Sequence, residues 1–254
     1  MIYQFAEPLN CLNYRDRTQH ALPSENNQLQ ETFDNIEIFC RVQQNVINKK
    51  KTKIAIFNTA TSKDFTPKIK NSDGTYYEHT EEFKLLGIDI CTDKRKGISF
   101  EKYLSKCVSQ GYQNLWILRR LKEIGVSVER LVETYKLRIR VLLEQNVPLW
   151  MFSLNKKMCQ EIEKVQKIAL YIVLGKNAHK DYFCNLAILE LDTLEGRREK
   201  IALNFAHKLL KNPEHRKMFQ FDMSSRTRHG NRVIVPAART KRYEDSTVPS
   251  IAKR

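Results

Sequence analysis

The sequence predicts a mainly α chain with a small antiparallel β element, an α+β fold in which the sheet precedes most of the helices. Three observations carry this. Eight glycines and seven prolines in 254 residues are few for a turn-rich β protein. Strand-forming runs are confined to residues 53–92, around the turn signal Asn71-Ser72-Asp73-Gly74. From Ser99 to about Phe219, apolar residues recur at three- and four-residue steps, the period of a helix with one buried face.

Each element follows from local pattern. Residues 1–25 are irregular, with Pro8, Pro23 and the polar stretch Tyr14-Arg15-Asp16-Arg17-Thr18. From Asn26, Leu29, Phe33, Ile36 and Cys40 form an apolar stripe that predicts a helix ending near residues 44–48. Lys53 to Asn58 and Tyr76 to His79 read as strands, the latter leading through Thr80-Glu81-Glu82 into Phe83 to Ile90. Phe100, Tyr103, Leu104, Cys107, Leu115, Leu118 and Leu121 predict a long helix stopped at Gly125. Ser127 is placed to cap the next, whose stripe is Val128, Leu131, Val132, Tyr135, Ile139 and Leu142 and which closes before Pro148. Asn155 caps a third, with Ile162, Val165, Ala169 and Ile172 inward and Gly175 at its end. A short helix over 181–190 and a long one from Thr193 to Asn212-Pro213 complete the series. The tail from Ser224 is basic and polar, with Arg226, Arg228, Arg232, Arg239, Lys241 and Arg242, and is expected to be mobile.

Composition narrows function. Hydrophobic residues at 41% suffice for a core, and a net charge of +15 favours polyanionic partners, because each cation near a phosphate releases a condensed counterion. Cys11, Cys40, Cys91, Cys107, Cys159 and Cys184 form no CxxC pair, and no His stands at zinc-ligand spacing from two of them. The six histidines support no catalytic triad. A disulfide framework is not expected in a Lys-rich chain without a basic-then-apolar leader. No run of about eighteen apolar residues occurs. These features lead to the expectation of an intracellular protein of nucleus or cytoplasm, with no membrane partner and no small-molecule substrate.

Several segments, in order, resemble one family. They are Ile47-Asn48-Lys49-Lys50-Lys51-Thr52-Lys53 with Ile54 to Asn58; Glu82-Phe83-Lys84-Leu85-Leu86-Gly87-Ile88; and Leu115-Trp116-Ile117-Leu118-Arg119-Arg120-Leu121-Lys122 with Gly125, Tyr135, Arg138, Leu143 and Trp150. Ile162 to Lys167 with Ala169-Leu170 and Leu174-Gly175, Leu191 to Glu195 with Arg197-Arg198, and Ala238 to Tyr243 continue the series. Together, over roughly residues 12 to 249, they resemble the end of the polymerase region of metazoan non-LTR retrotransposon reverse transcriptases (RNA-directed DNA polymerases).

The resemblance implies a truncated palm fragment followed by a helical thumb-like module. Residues 1–25 become an irregular lead, 26–95 a partial palm, 96–221 the thumb and its extension, and 222–254 a basic tail. It assigns Asn48, Lys51 and Thr52 to the last part of the palm, and Phe83, Leu86 and Gly87 to a primer-grip hairpin. Lys51, Lys53, Arg119, Arg120 and Lys122 are the candidate nucleic-acid contacts, with an RNA or DNA template–primer as partner. The family holds two magnesium ions on aspartates, two of them adjacent, because closely spaced divalent ions need converging carboxylates. No Asp-Asp pair occurs in this sequence. The resemblance therefore implies that Mg2+ belongs only to an intact polymerase, that the motif lies upstream of residue 1, and that this chain has no catalytic or metal-ligating residue.

Bland roles stand beside these. Lys51 and Lys53 fit a solvated loop as well as a phosphate contact. Phe83 and Leu86 fit a hairpin core, and Gly87 a bulge. Trp116 is expected in the helix interface, with Arg119, Arg120 and Lys122 toward water or a bound strand. Arg197 and Arg198 oppose the dipole of the last helix, so ion pairs with Glu195 or Glu199 are expected. Two functions remain open: a reverse-transcriptase remnant that retains template–primer binding, and a basic helical scaffold from a decayed reading frame with no nucleic-acid role.

Overall fold

The structure is a computed structural model describing residues 23–55, 68–93, 97–217, 219–227 and 230–235. In chain order its elements are α1 (Pro23–Val42), β1 (Glu82–Leu85), β2 (Ile88–Asp93), β3 (Gly97–Ser99), α2 (Glu101–Glu123), α3 (Val128–Tyr135), a π turn (Lys136–Arg140), α4 (Val141–Glu144) and α5 (Val147–Trp150). After a 3-10 turn (Met151–Ser153) come α6 (Lys156–Leu174), α7 (Tyr182–Ile188), α8 (Leu194–Lys211), α9 (Pro213–Arg216), β4 (Phe221–Thr227) and β5 (Gly230–Val233). The fold is mainly helical with a three-stranded antiparallel sheet, the α+β class predicted. No helix among the described residues is long and apolar enough to cross a membrane. The chain divides into two units, Met1–Glu81 and Glu82–Arg254.

In the first unit the expected turn at 71–74 is present. Asn71 Oδ1 accepts from the backbone N–H groups of Asp73 (2.9 Å) and Thr75 (3.1 Å), and Gly74 takes a φ of 79°. Of the expected strand pairing around it, the described residues show isolated bridges and no continuous strand. Isolated bridges join Ile54 to His79 and Lys70 to Tyr76, while residues 56–67 lie outside the described residues. The backbone of Lys70 also bonds the side chain of Gln30 on α1 through both its N–H (2.8 Å) and its carbonyl (2.9 Å). The segment is thus held both to the chain across the turn and to the helix. Phe33 packs edge-on against Tyr77 with ring centroids 4.9 Å apart.

The sheet belongs to the second unit and spans 82–99. It pairs Glu82 with Cys91 and Leu85 with Ile88, then Cys91 with Ser99. Leu86 and Gly87, at φ 48° and 88°, make the two-residue turn between β1 and β2 that right-twisted strands favour. Ile88 enters the helical core, and Asp89 pairs with Lys106 of α2 at 2.7 Å. The hairpin expected as the end of residues 26–95 therefore folds with the helices.

Helices α2 and α6 run parallel and in contact. Asn155 Nδ2, at the start of α6, donates to Glu101 Oε1 at the start of α2 (3.3 Å), and Lys122 near the end of α2 reaches the end of α6. At mid-height a methyl group on Gly111 would lie 3.2 Å from Val165 Cγ1, so the small residue permits the close approach. α6 starts and stops as predicted. Asn155 Oδ1 accepts from Met158 N–H at 2.7 Å, and Gly175 ends the helix at φ 58°. Thr193 Oγ1 likewise caps α8 through Gly196 N–H at 3.1 Å.

The helix after Ser127 differs from expectation. Its buried residues Leu131, Tyr135, Ile139 and Leu143 repeat every four positions. Over three such steps a regular α-helix would rotate that face by about 120°. The π turn at Lys136–Arg140 adds a residue and removes most of the drift, so Leu143, not Leu142, is deeply buried. Val128, the first residue of α3, is exposed.

One buried polar network crosses this core. The Tyr135 hydroxyl donates to Gln166 Oε1; Gln166 Nε2 donates to the Tyr182 hydroxyl (2.7 Å) and the Asp192 carbonyl (3.0 Å). Tyr182 in turn donates to Glu163 Oε1, which also accepts Leu194 N–H at 3.2 Å. Burial, first, and then the Glu163 carboxylate push the Tyr182 phenol far up, so it stays a donor.

The tail expected from residue 222 is corrected in part. β4 and β5 form an antiparallel hairpin pairing Phe221 with Val233. Phe219, Phe221 and Val233 pack with Phe205, Ala206 and Leu209 of α8, which supplies the apolar anchor. Residues 228, 229 and 236–254, including Arg228, Arg239, Lys241 and Arg242, lie outside the described residues.

Candidate nucleic-acid interface

The predicted site residues fall in both units. In the first, Asn48 organises a turn: its side-chain Oδ1 and its carbonyl accept from Lys51 N–H, and its carbonyl also accepts the Thr52 hydroxyl at 3.0 Å. Lys53 pairs with Glu78 at 3.6 Å and Lys49 with Asp73, which leaves Lys50 and Lys51 as the exposed cations of the run without an ion pair among the described residues. In the second unit, Phe83 is half-buried on β1, Leu86 is 78% exposed at the tip, and a methyl on Gly87 would meet nothing within 4 Å. Glycine is favoured there by its positive φ, not by a close approach of protein atoms.

Two assignments on α2 are reversed. Trp116 is 58% exposed, because Leu115 and Leu118 already occupy the inward face. Lys122, expected at a surface, is half-buried, and its Nζ donates to the carbonyls of Ile172 (2.6 Å) and Val173 (2.7 Å) at the end of α6. It serves as a cationic cap on carbonyls that have no partner within their own helix. Gly175 leaves room for it, since a methyl there would collide with Lys122 Nζ. Lys122→Met is expected to cost about 1–3 kcal/mol, because two carbonyls lose a charged donor. Chemical denaturation checks this; an unchanged midpoint would show the carbonyls satisfied by water.

Arg119 and Arg120 are exposed. Arg120 pairs with Glu123 at 2.9 Å, and Arg119 forms no ion pair among the described residues. On α8, Arg197 makes a two-pronged contact with Glu144, not with Glu195 or Glu199; its Nη2 lies 2.9 Å from Oε2. Arg198 is 3% exposed, and its Nη1 has no hydrogen-bond partner. Neither arginine offers a free cationic surface.

A further cationic surface lies elsewhere, on a face the sequence expectations do not include. At about 100° per residue, Lys156, Lys157, Gln160, Lys164, Lys167 and Tyr171 occupy an arc of roughly 100° on α6, opposite its buried face. All six are exposed, and none is acidic. Lys156, Lys157 and Lys164 make no ion pair among the described residues, while Lys167 lies 4.9 Å over the Tyr182 ring. The seven-residue interval from Lys157 to Lys164 is the signal in the sequence that could have found it.

Part of α2 shares this face. Tyr112 of α2 meets Glu161 of α6; burial, then that carboxylate, raises its phenol pKa. On α2, Arg119 and Trp116 lie within about 40° of Tyr112 around the axis. On α6, Lys157 and Lys164 follow Glu161 toward solvent within about 60° of it, and Tyr171 within about 80°. Since the helices are parallel neighbours, the two strips face the same way. Glu123 at the far end of the α2 strip is engaged by Arg120.

The arrangement is suited to binding a polyanion. Burial raises the thiol pKa values of Cys107 and Cys159, which disfavours the nucleophilic thiolate. Among the described residues no group of three His, Cys, Asp or Glu side chains is placed to hold a metal ion. No protein-family model, curated protein or solved structure matches the chain.

Proposed function

We propose that this chain binds nucleic acid through the α2–α6 face without polymerising it, and that it derives from the carboxy-terminal part of a non-LTR retrotransposon reverse transcriptase. The observation that carries the binding reading is the acid-free lysine arc of α6, set beside Arg119 and Trp116. The observation that carries the family reading is the order of the palm-like, primer-grip-like and thumb-like segments along the chain. An RNA or DNA template–primer is the ligand class, Mg2+ belongs to an intact polymerase, and Phe83, Leu86 and Gly87 are the primer-grip-like residues.

A second reading is a basic helical scaffold with no nucleic-acid role. The internally engaged cations Lys102, Lys106, Lys122 and Arg197 favour it, because they account for part of the charge structurally. Fluorescence anisotropy with a labelled, primed RNA–DNA duplex bearing an overhang separates the two. Binding whose log affinity falls with log salt at a slope of at least about 2, as for three neutralised phosphates, is the outcome expected. No binding at low salt would leave the scaffold reading.

A further inference from the structure

We infer that the nucleic acid held on the α2–α6 face presents unpaired bases to Trp116, making single-stranded RNA or DNA, or an unpaired overhang, the preferred ligand over continuous duplex. This rests on the binding reading above and specifies its ligand.

The lysines alone do not discriminate, because phosphates line both single and double strands. Trp116 does. An indole stacks on the flat face of a base, and in a duplex those faces are covered by neighbouring pairs. The side chain contributes little to the core, since the positions on either side of the inward direction are filled by Leu115 and Leu118. It is more than half exposed at mid-helix, with Arg119 and Arg120 at the next turn on the same side. Arginine beside an aromatic platform neutralises the phosphate next to a stacked base and adds a planar group of its own. Tyr171 on α6 is also exposed, and its hydroxyl is tied to the Lys180 carbonyl at 3.1 Å. Each of the two neighbouring helices thus exposes an aromatic ring with cations one turn away on the same helix.

The chain supplies its own reporter. Its two tryptophans are Trp116 and Trp150, and Trp150 is buried with its Nε1–H bonded to the Gln145 carbonyl at 2.9 Å. Emission changes on adding a ligand therefore report on Trp116. The test titrates the full chain with a single-stranded DNA of about 12 nucleotides and with the duplex of the same sequence. The single strand is expected to quench the exposed tryptophan and the duplex to leave it nearly unchanged. Trp116→Ala is expected to weaken single-strand binding by about ten- to a hundred-fold, the size of one base–aromatic stack, and to change duplex binding by less than about two-fold. Trp116→Phe restores most of the difference. Emission from buried Trp150 checks that the variants fold. Equal affinities for both probes without quenching, or a Trp116→Ala variant that binds like the parent, overturns the inference and leaves the lysine interface standing. Failure of both probes to bind at low salt overturns the interface as well.

Discussion

Replacing Arg119, Lys157 and Lys164 together with Gln is expected to lower nucleic-acid affinity by on the order of 10²–10³-fold at about 0.05 M salt. The three side chains are exposed, share one face, and make no ion pair among the described residues. Each therefore reaches a phosphate without first breaking an internal ion pair. The log–log salt slope should fall by about 0.7–0.9 for each phosphate left without its cation, and all sequences should weaken alike, because phosphates carry no base identity. Folding should hardly change, since exposed cations contribute about 0–1 kcal/mol. Replacing Lys102 and Lys106 supplies the control: both pair with sheet carboxylates and should leave affinity nearly unaltered.

Gln166→Ala is expected to destabilise the second unit by about 3–5 kcal/mol. Gln166 is 0% exposed and links three elements at once, accepting from Tyr135 and donating to Tyr182 and the Asp192 carbonyl. Truncation leaves the Tyr135 hydroxyl in the interior without its partner, removes the donor to the Asp192 carbonyl, and opens a cavity besides. Gln166→Glu keeps the acceptor for Tyr135 and loses both donations, so it should also be markedly destabilised. Denaturation of both variants checks this. A loss below about 1 kcal/mol for Gln166→Ala would mean that water or local repacking replaces the side chain.

The helical half of the molecule is legible in the sequence because its signals are local. Asn155 and Thr193 cap the helices assigned to them, and Gly175 ends α6. Where the pattern fails, the cause is a change of period or a distant partner. The π turn moves burial from Leu142 to Leu143, which a strict helical period does not foresee. Lys122 reads as a surface cation because the carbonyls it caps lie 50 and 51 positions away, and Arg197 finds Glu144 across 53. Large aromatics commonly fill cores, which puts Trp116 inside by expectation, but Leu115 and Leu118 fill that space. The hairpin of β4 and β5 leaves little apolar signal because its sequence is polar and its anchor consists of Phe219, Phe221 and Val233 on either side. The lysine arc of α6 is present as spacing, but the apolar period of the opposite face dominates the pattern there.

Lysine acetylation footprinting tests the α2–α6 interface most directly. The full chain is acetylated briefly with and without a saturating overhang-bearing template–primer, and each lysine's modification is read by mass spectrometry. Lys157 and Lys164 should be protected several-fold by the nucleic acid, while Lys208 and Lys211, exposed on α8, should react at an unchanged rate. Protection confined to lysines of residues 236–254, or equal protection of α6 and α8, would contradict an interface on α2 and α6.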